Sequence, residues 1–186
     1  MAQFTERAIA ESFIKLLNER PLDKITIKDI VEDCGINRNT FYYHFADIPA
    51  LVESILNAET KAAFTEQGLG DSWEESFITA AQFALQNKRV VYHIYNSVRR
   101  EEVERYLNAI AGEVMHRFVE QEAAERKISK EDKQLIADFY RAALVGMILD
   151  WLGSGMKYDP VNRIQRLGRI LKGNIELALE RAEETI

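Results

Sequence analysis

The chain has 186 residues, of which 47% are hydrophobic and 29% charged, with 3 prolines and 9 glycines. That balance is ordinary for a globular protein with enough chain to bury a sizeable core, and it argues against long disordered linkers. The net charge is −6, which speaks against indiscriminate nucleic-acid binding through a general positive field.

Cys34 is the single cysteine, so no disulfide can close within the chain and a reducing cytoplasm fits. The opening "MAQFTERAIAE" carries charge from Glu6 onward and has no apolar signal core. The longest apolar run, 142–149, is too short to span a bilayer. A soluble protein without a membrane partner is expected. Helix formers dominate and no stretch alternates for long, so the expected class is all-α with about nine helices.

Residues 5–20 read as a first helix, with Ile9, Phe13, Leu16 and Leu17 on one stripe. Pro21 follows its end. Thr26 is a suitable N-cap for a second helix whose apolar face is Ile27, Ile30 and Val31, and Asp29 at the third position suggests a capping box. Gly35 stops that helix. Asn37 then caps a short third helix, about 38–44, in which Phe41 and Phe45 point inward with Ile36. Asp47 caps a fourth, running from 48 to about 67, with Pro49 tolerated in its first turn.

Two helices joined by a tight glycine turn form a helix-turn-helix. The first helix braces the pair, and the third is left free to enter a major groove. Its residue types suit that task. Arg38 can donate to guanine or to phosphate, Asn39 to adenine or backbone, and Thr40 offers a hydroxyl and a methyl. Tyr42, Tyr43 and His44 carry donors suited to phosphate. Thr26 and Lys28 open the preceding helix, where a phosphate is also favoured. The alternative is that the tyrosines only cover a core and wet their hydroxyls.

The stretch "TIKDIVEDCGINRNTFYYHFADIPALVESIL" resembles the DNA-binding domain of the TetR family of transcriptional regulators. Thr26, Ile30, Gly35, Thr40, Phe41, Tyr42, His44, Phe45 and Leu51 carry the likeness, which covers residues 5 to about 56. It implies a homodimer that binds a double-stranded DNA operator with its third helices. The likeness departs from the family at two positions: Ile48 stands where a lysine is frequent, and Ala46 where relatives are often polar. Residues 1–48 hold Arg7, Lys15, Arg20, Lys24, Lys28 and Arg38 against eight acids. DNA contact must therefore come from a few placed groups, and each missing cation should shallow the salt dependence by about one unit of slope.

"GLGDS", residues 68–72, is the clearest joint. It separates a DNA-binding unit at 1–48, linked through helix 48–67, from a regulatory and dimerisation domain at 49–186. Beyond it, Ser72 with Glu75 forms a capping box, Ser129 with Asp132 opens another helix, and Asp159 precedes Pro160 at a helix start. Helices are expected at about 72–88, 89–97, 99–126, 130–153 and 160–184.

The penultimate helix is apolar almost all round and must be covered on both sides. One side can face its own domain and the other a second copy. On the last helix Leu167, Leu171, Ile175 and Ala178 are the expected dimer residues. A monomer whose core uses both faces is the alternative. "FYRAALVGMILDWL" loosely resembles the second domain of TetR relatives that regulate dihydroxyacetone-kinase operons. The TetR resemblance also implies a small-molecule effector of unknown identity, for which Phe83, Tyr92, Tyr95, Tyr106, Phe118, Phe139 and Met147 are candidate lining; packed core is the competing reading of each.

No cofactor, metal or catalytic site is expected. His93 and His116 lack metal-ligand spacing, and Gly153 and Gly155 follow no strand. The functional expectation is a sequence-specific, homodimeric repressor gated by an effector. The alternative is a TetR-like interaction protein or co-activator acting through a protein partner.

Overall fold

The computed structural model describes residues 2–66, 72–97 and 100–183. Among them are ten α-helices and no strand. They are α1 (Ala2–Glu19), α2 (Ile27–Asp33), α3 (Arg38–His44), α4 (Ile48–Glu66), α5 (Trp73–Gln86), α6 (Lys88–Tyr95), α7 (Arg100–Glu122), α8 (Lys130–Gly153), α9 (Pro160–Ile170) and α10 (Asn174–Glu183). A single 3-10 turn, Leu22–Lys24, joins α1 to α2. The all-α expectation holds. No described helix is long and apolar enough to cross a membrane.

The chain forms two compact units. The first comprises 1–63 and 87–103, the second 64–86 and 104–186. By its contacts α6 therefore belongs with the first unit. Residues 68–71 of the expected joint lie outside the described residues.

In the first unit the apolar stripe of α1 is fully inward: Ile9, Phe13 and Leu17 have no exposed surface. Ile30 and Val31 of α2, which packs on α1, are buried too, as are Phe41 of α3 and Leu51 and Val52 of α4. Burying each such side chain stabilises the unit by about 1.5–3 kcal/mol. Ser12 and Ser97 are buried polar residues of this unit, and their hydroxyls donate to the Ile30 carbonyl at 3.3 Å and the Ile94 carbonyl at 2.7 Å. α6 docks at the C-terminal end of α1, where a His93 ring nitrogen lies 2.7 Å from the Leu17 carbonyl and Arg89 donates to that of Asn18.

A hydrophobic core runs through the second unit. α5 contributes Trp73 and Phe77, α7 Val114, Met115 and Val119, α8 Leu144 and Val145, α9 Ile164, and α10 Ile175 and Leu179. A polar ladder sets α7 against α8. Lys133 pairs with Glu120 at 2.6 Å, Gln134 bridges His116 and Asp138, and Arg141 joins Asp138 to Asn108. The Gln134 amide, then Arg141, hold the Asp138 carboxyl below its ordinary range.

The expected last helix, 160–184, is instead two. α9 ends at Ile170 with Leu171 as its cap, and Gly173 turns the chain at φ +79° before α10 begins. Few side chains adopt that conformation. The apolar spacing runs unbroken through the turn, which is why periodicity alone missed it.

Candidate nucleic-acid interface

The turn between α2 and α3 follows from its residues. Thr26 and Asp29 cap α2 reciprocally, with each side chain taking the other's backbone N–H. At the far end Gly35 has φ +70°, and the Ile36 N–H returns to the Val31 carbonyl at 3.0 Å. Asn37 then accepts from the Thr40 N–H at 2.8 Å and starts α3. Phe41 and Phe45 are buried against the unit's core, which fixes the roll of α3. That roll decides which side chains face water.

Arg38 and Asn39 are exposed on the first turn of α3. Tyr42 is 54% exposed and Tyr43 80%, so neither is a core residue with a wetted tip. Tyr42 rests edge-on against Phe41 with ring centroids 5.8 Å apart. Thr40 is half-buried, and its hydroxyl donates to the Asn37 side chain at 3.1 Å.

His44 differs from the expectation. Its side chain is 5% exposed and turns to α1, where Nδ1 lies 3.1 Å from Glu6 Oε1. It braces α3 rather than facing outward. Thr26 is also committed internally, because its hydroxyl donates to Asp29 at 2.6 Å.

Within 4–58 most cations already have a carboxylate. Arg7 pairs with Glu11, Lys15 with Asp33, Arg20 with Asp29 and Lys28 with Glu32. Hydrogen bonds from Thr26, then Arg20, hold the Asp29 carboxyl below its ordinary range; Lys15 and Ser12 do the same for Asp33. Arg38 on α3 and Lys24 on the preceding turn have no ion pair among the described residues. The sequence showed the i,i+4 spacing of Lys28 and Glu32. It gave no signal for the pairs between helices.

Seven aromatic or apolar residues were candidates for an effector cavity. Tyr92 and Tyr95 belong to the first unit and the other five to the second. Phe83 is 43% exposed, Tyr92 43% and Phe139 67%, whereas Tyr95 is buried. Phe118 packs on the core of the second unit, and Tyr106 and Met147 are half-buried. A crevice of about 10 Å³ at the start of α5 involves Phe118 with Trp73, Ser76 and Arg117; that is room for one water. Of the seven, Phe118 alone lines this crevice. The described residues hold no cluster of His, Cys, Asp or Glu able to bind a metal.

Of the expected dimer residues, Ile175 is 4% exposed and sealed in its own core, and Leu167 packs against that core. Leu171 and Ala178 are half-buried. Beyond the turn at Gly173, Ile175 and Leu179 point inward together. The apolar groups left in water are elsewhere. Leu135 and Phe139 of α8 are each 67% exposed, with Ala142, Ala143 and Gly146 on the same face. Ile170 ends α9 at 71% and Leu177 of α10 is at 42%.

Two sequence families match the chain: "Bacterial regulatory proteins, tetR family" over residues 4–55, and the TetR-type "Transcriptional regulator C-terminal region" over 71–173. An HTH-type transcriptional regulator of Bacillus subtilis (strain 168), YxbF, is 25% identical over 93 residues, half of this chain. The match spans about a quarter (23%) of that relative's length.

Among solved structures, the dihydroxyacetone kinase operon activator DhaS superposes with a TM-score of 0.74 at 16% identity, covering 93% of this chain and 97% of its own. A TetR transcriptional regulator from Streptococcus agalactiae 2603V gives 0.62 at 19%, covering 98% and 95%. NalD, the secondary repressor of the MexAB-OprM multidrug efflux pump in Pseudomonas aeruginosa, gives 0.61 at 18%, covering 92% and 96%. These likenesses concern the fold. With the two matches that span its N-terminal unit and most of its remaining length, the chain belongs to the TetR family of transcriptional regulators.

Proposed function

We propose that the protein is a homodimeric, sequence-specific DNA-binding repressor that reads an operator with α3. The observation that carries this reading is the outward face of α3. Arg38, Asn39, Tyr42 and Tyr43 stand in water on a helix whose roll is locked from behind by Phe41 and Phe45. Arg38 suits guanine O6 and N7, Asn39 suits adenine, and the tyrosine hydroxyls suit phosphate.

The exposed stripe on α8 supports the dimer. Leu135, Phe139, Ala142, Ala143 and Gly146 follow helical spacing, and Ile170 and Leu177 add apolar surface in the same unit. A second copy covers such a stripe in the commonest way, by an isologous contact. Two α3 helices held by that contact would enter successive major grooves about 34 Å apart. A small-molecule effector would act by changing that separation, at the expense of operator contacts.

Footprinting on the DNA upstream of the protein's own gene tests the reading. Protection of a two-fold symmetric site, weakened by Arg38→Ala without loss of helix content, is the expected result. A reporter under that site, with and without the protein, reads the sign of control; raised expression would overturn repression. Equal binding of Arg38→Ala and the parent to every duplex would remove α3 as the reading helix.

A further inference from the structure

Resting on the DNA-binding reading above, we infer that Glu32 is a specificity-determining residue: it holds Lys28 away from phosphate and so keeps sequence-independent binding weak. Lys28 and Glu32 lie one turn apart on α2, with Nζ 3.6 Å from Oε1. Both side chains are about two-thirds exposed, at 63% and 65%, so a phosphate can reach the pair, and Lys28 stands in the first turn of α2, where helix N–H groups favour an anion. Neither belongs to the core of the unit. Nothing about folding requires an acid at 32, because α2 is anchored by Ile30 and Val31 on the opposite face.

The setting makes this pair decisive. Lys15 and Arg20 are already held by Asp33 and Asp29 from α2. Thr26 has given its hydroxyl and its N–H to Asp29. The unit's own carboxylates thus occupy the partners that phosphate oxygens would otherwise take. Lys28 is the remaining cation of α2, and Glu32 neutralises it.

Phosphate contacts fix position and carry no sequence information, whereas base edges do. A surface that spends its cations internally gains little from random DNA. It retains Arg38, Asn39 and the two tyrosines for the right sequence. A surface ion pair is weak enough for phosphate to compete with it, so Glu32 reduces binding without abolishing it.

The test is a salt titration of the 186-residue chain on a labelled mixed-sequence duplex. Parent, Glu32→Gln, Lys28→Gln and the double variant are compared. Glu32→Gln should bind roughly fivefold to tenfold tighter at about 0.1 M salt, and its log–log slope should steepen by about one unit per chain bound. Lys28→Gln should shallow the slope by much less than one unit, since Glu32 already offsets most of that charge. The double variant should lose the steepening. An unchanged affinity and slope for Glu32→Gln would overturn the inference. So would a full unit of slope lost in Lys28→Gln, which would mean that Lys28 already reaches phosphate. These outcomes differ from failure of the underlying reading, in which the parent binds no duplex at any salt and the inference falls with it.

Discussion

The two units of the chain break the ordinary rule for surfaces in opposite ways. In the first, large polar aromatics and an arginine stand out in water on a seven-residue helix, while most cations around them are tied to acids. In the second, the polar groups between α7 and α8 are paired, and what stands out is apolar: Leu135, Phe139, Ile170 and Leu177. A solvated surface needs neither arrangement. The first suits a partner rich in hydrogen-bonding edges. The second suits a partner that is itself apolar, as a second copy of α8 would be.

Phe41→Ala should have the largest effect on this comparison. It empties a site with no exposed surface behind the outward face of α3, at a cost of about 3–5 kcal/mol. Urea denaturation followed by circular dichroism should show the first unit lost at lower denaturant; an unchanged transition would mean that Phe41 does not set the roll of α3.

The double change Leu135→Glu with Phe139→Glu strikes the other unit. Both sites are exposed, so the fold should survive. Analytical ultracentrifugation should find a monomer, and operator affinity should fall by about 10²-fold or more as the second reading helix is lost. A persistent dimer would place the contact elsewhere.

Arg38→Ala should cost about 1–3 kcal/mol on the operator and relax preference at one position of each half-site. Titrations on single-base variants of the operator read that directly. Smaller again is Gly173→Ala. Its φ of +79° disfavours a Cβ, so the second unit should lose about 1 kcal/mol in the same urea experiment.

The smallest effect is that of pH. Asp29 and Asp33 titrate below the ordinary carboxylate range in the fold. Their contribution is therefore fully present above the unfolded value of about 3.9 and is lost as pH falls through the depressed folded values. The urea midpoint of the first unit should drop below about pH 4. Asp33→Asn should blunt that drop.

Local chemistry explains what the sequence revealed. Thr26, Asn37, Asp47, Ser72, Ser129 and Asp159 each cap the helix expected of them, because a cap acts within three residues of itself. The inward stripe Ile9, Phe13, Leu16 and Leu17 was legible for the same reason. Three features depend on where distant residues meet. Glu6 draws His44 in against α1. The pairings of Lys15 and Arg20 join α1 to α2 across the fold. Ile175 faces a core whose other walls come from α5, α7 and α8, and the apolar period passes through the break at Gly173 in phase and so cannot reveal it.

The central claim is that the exposed face of α3 reads sequence. Selection of bound duplexes from a random pool, with parent and Arg38→Ala in parallel, tests it most directly. The account predicts a two-fold symmetric motif with half-sites about 34 Å apart, or a multiple of that, and loss of one preferred base pair per half-site in the variant. No enriched motif with the parent, or the same motif with both proteins, would contradict it.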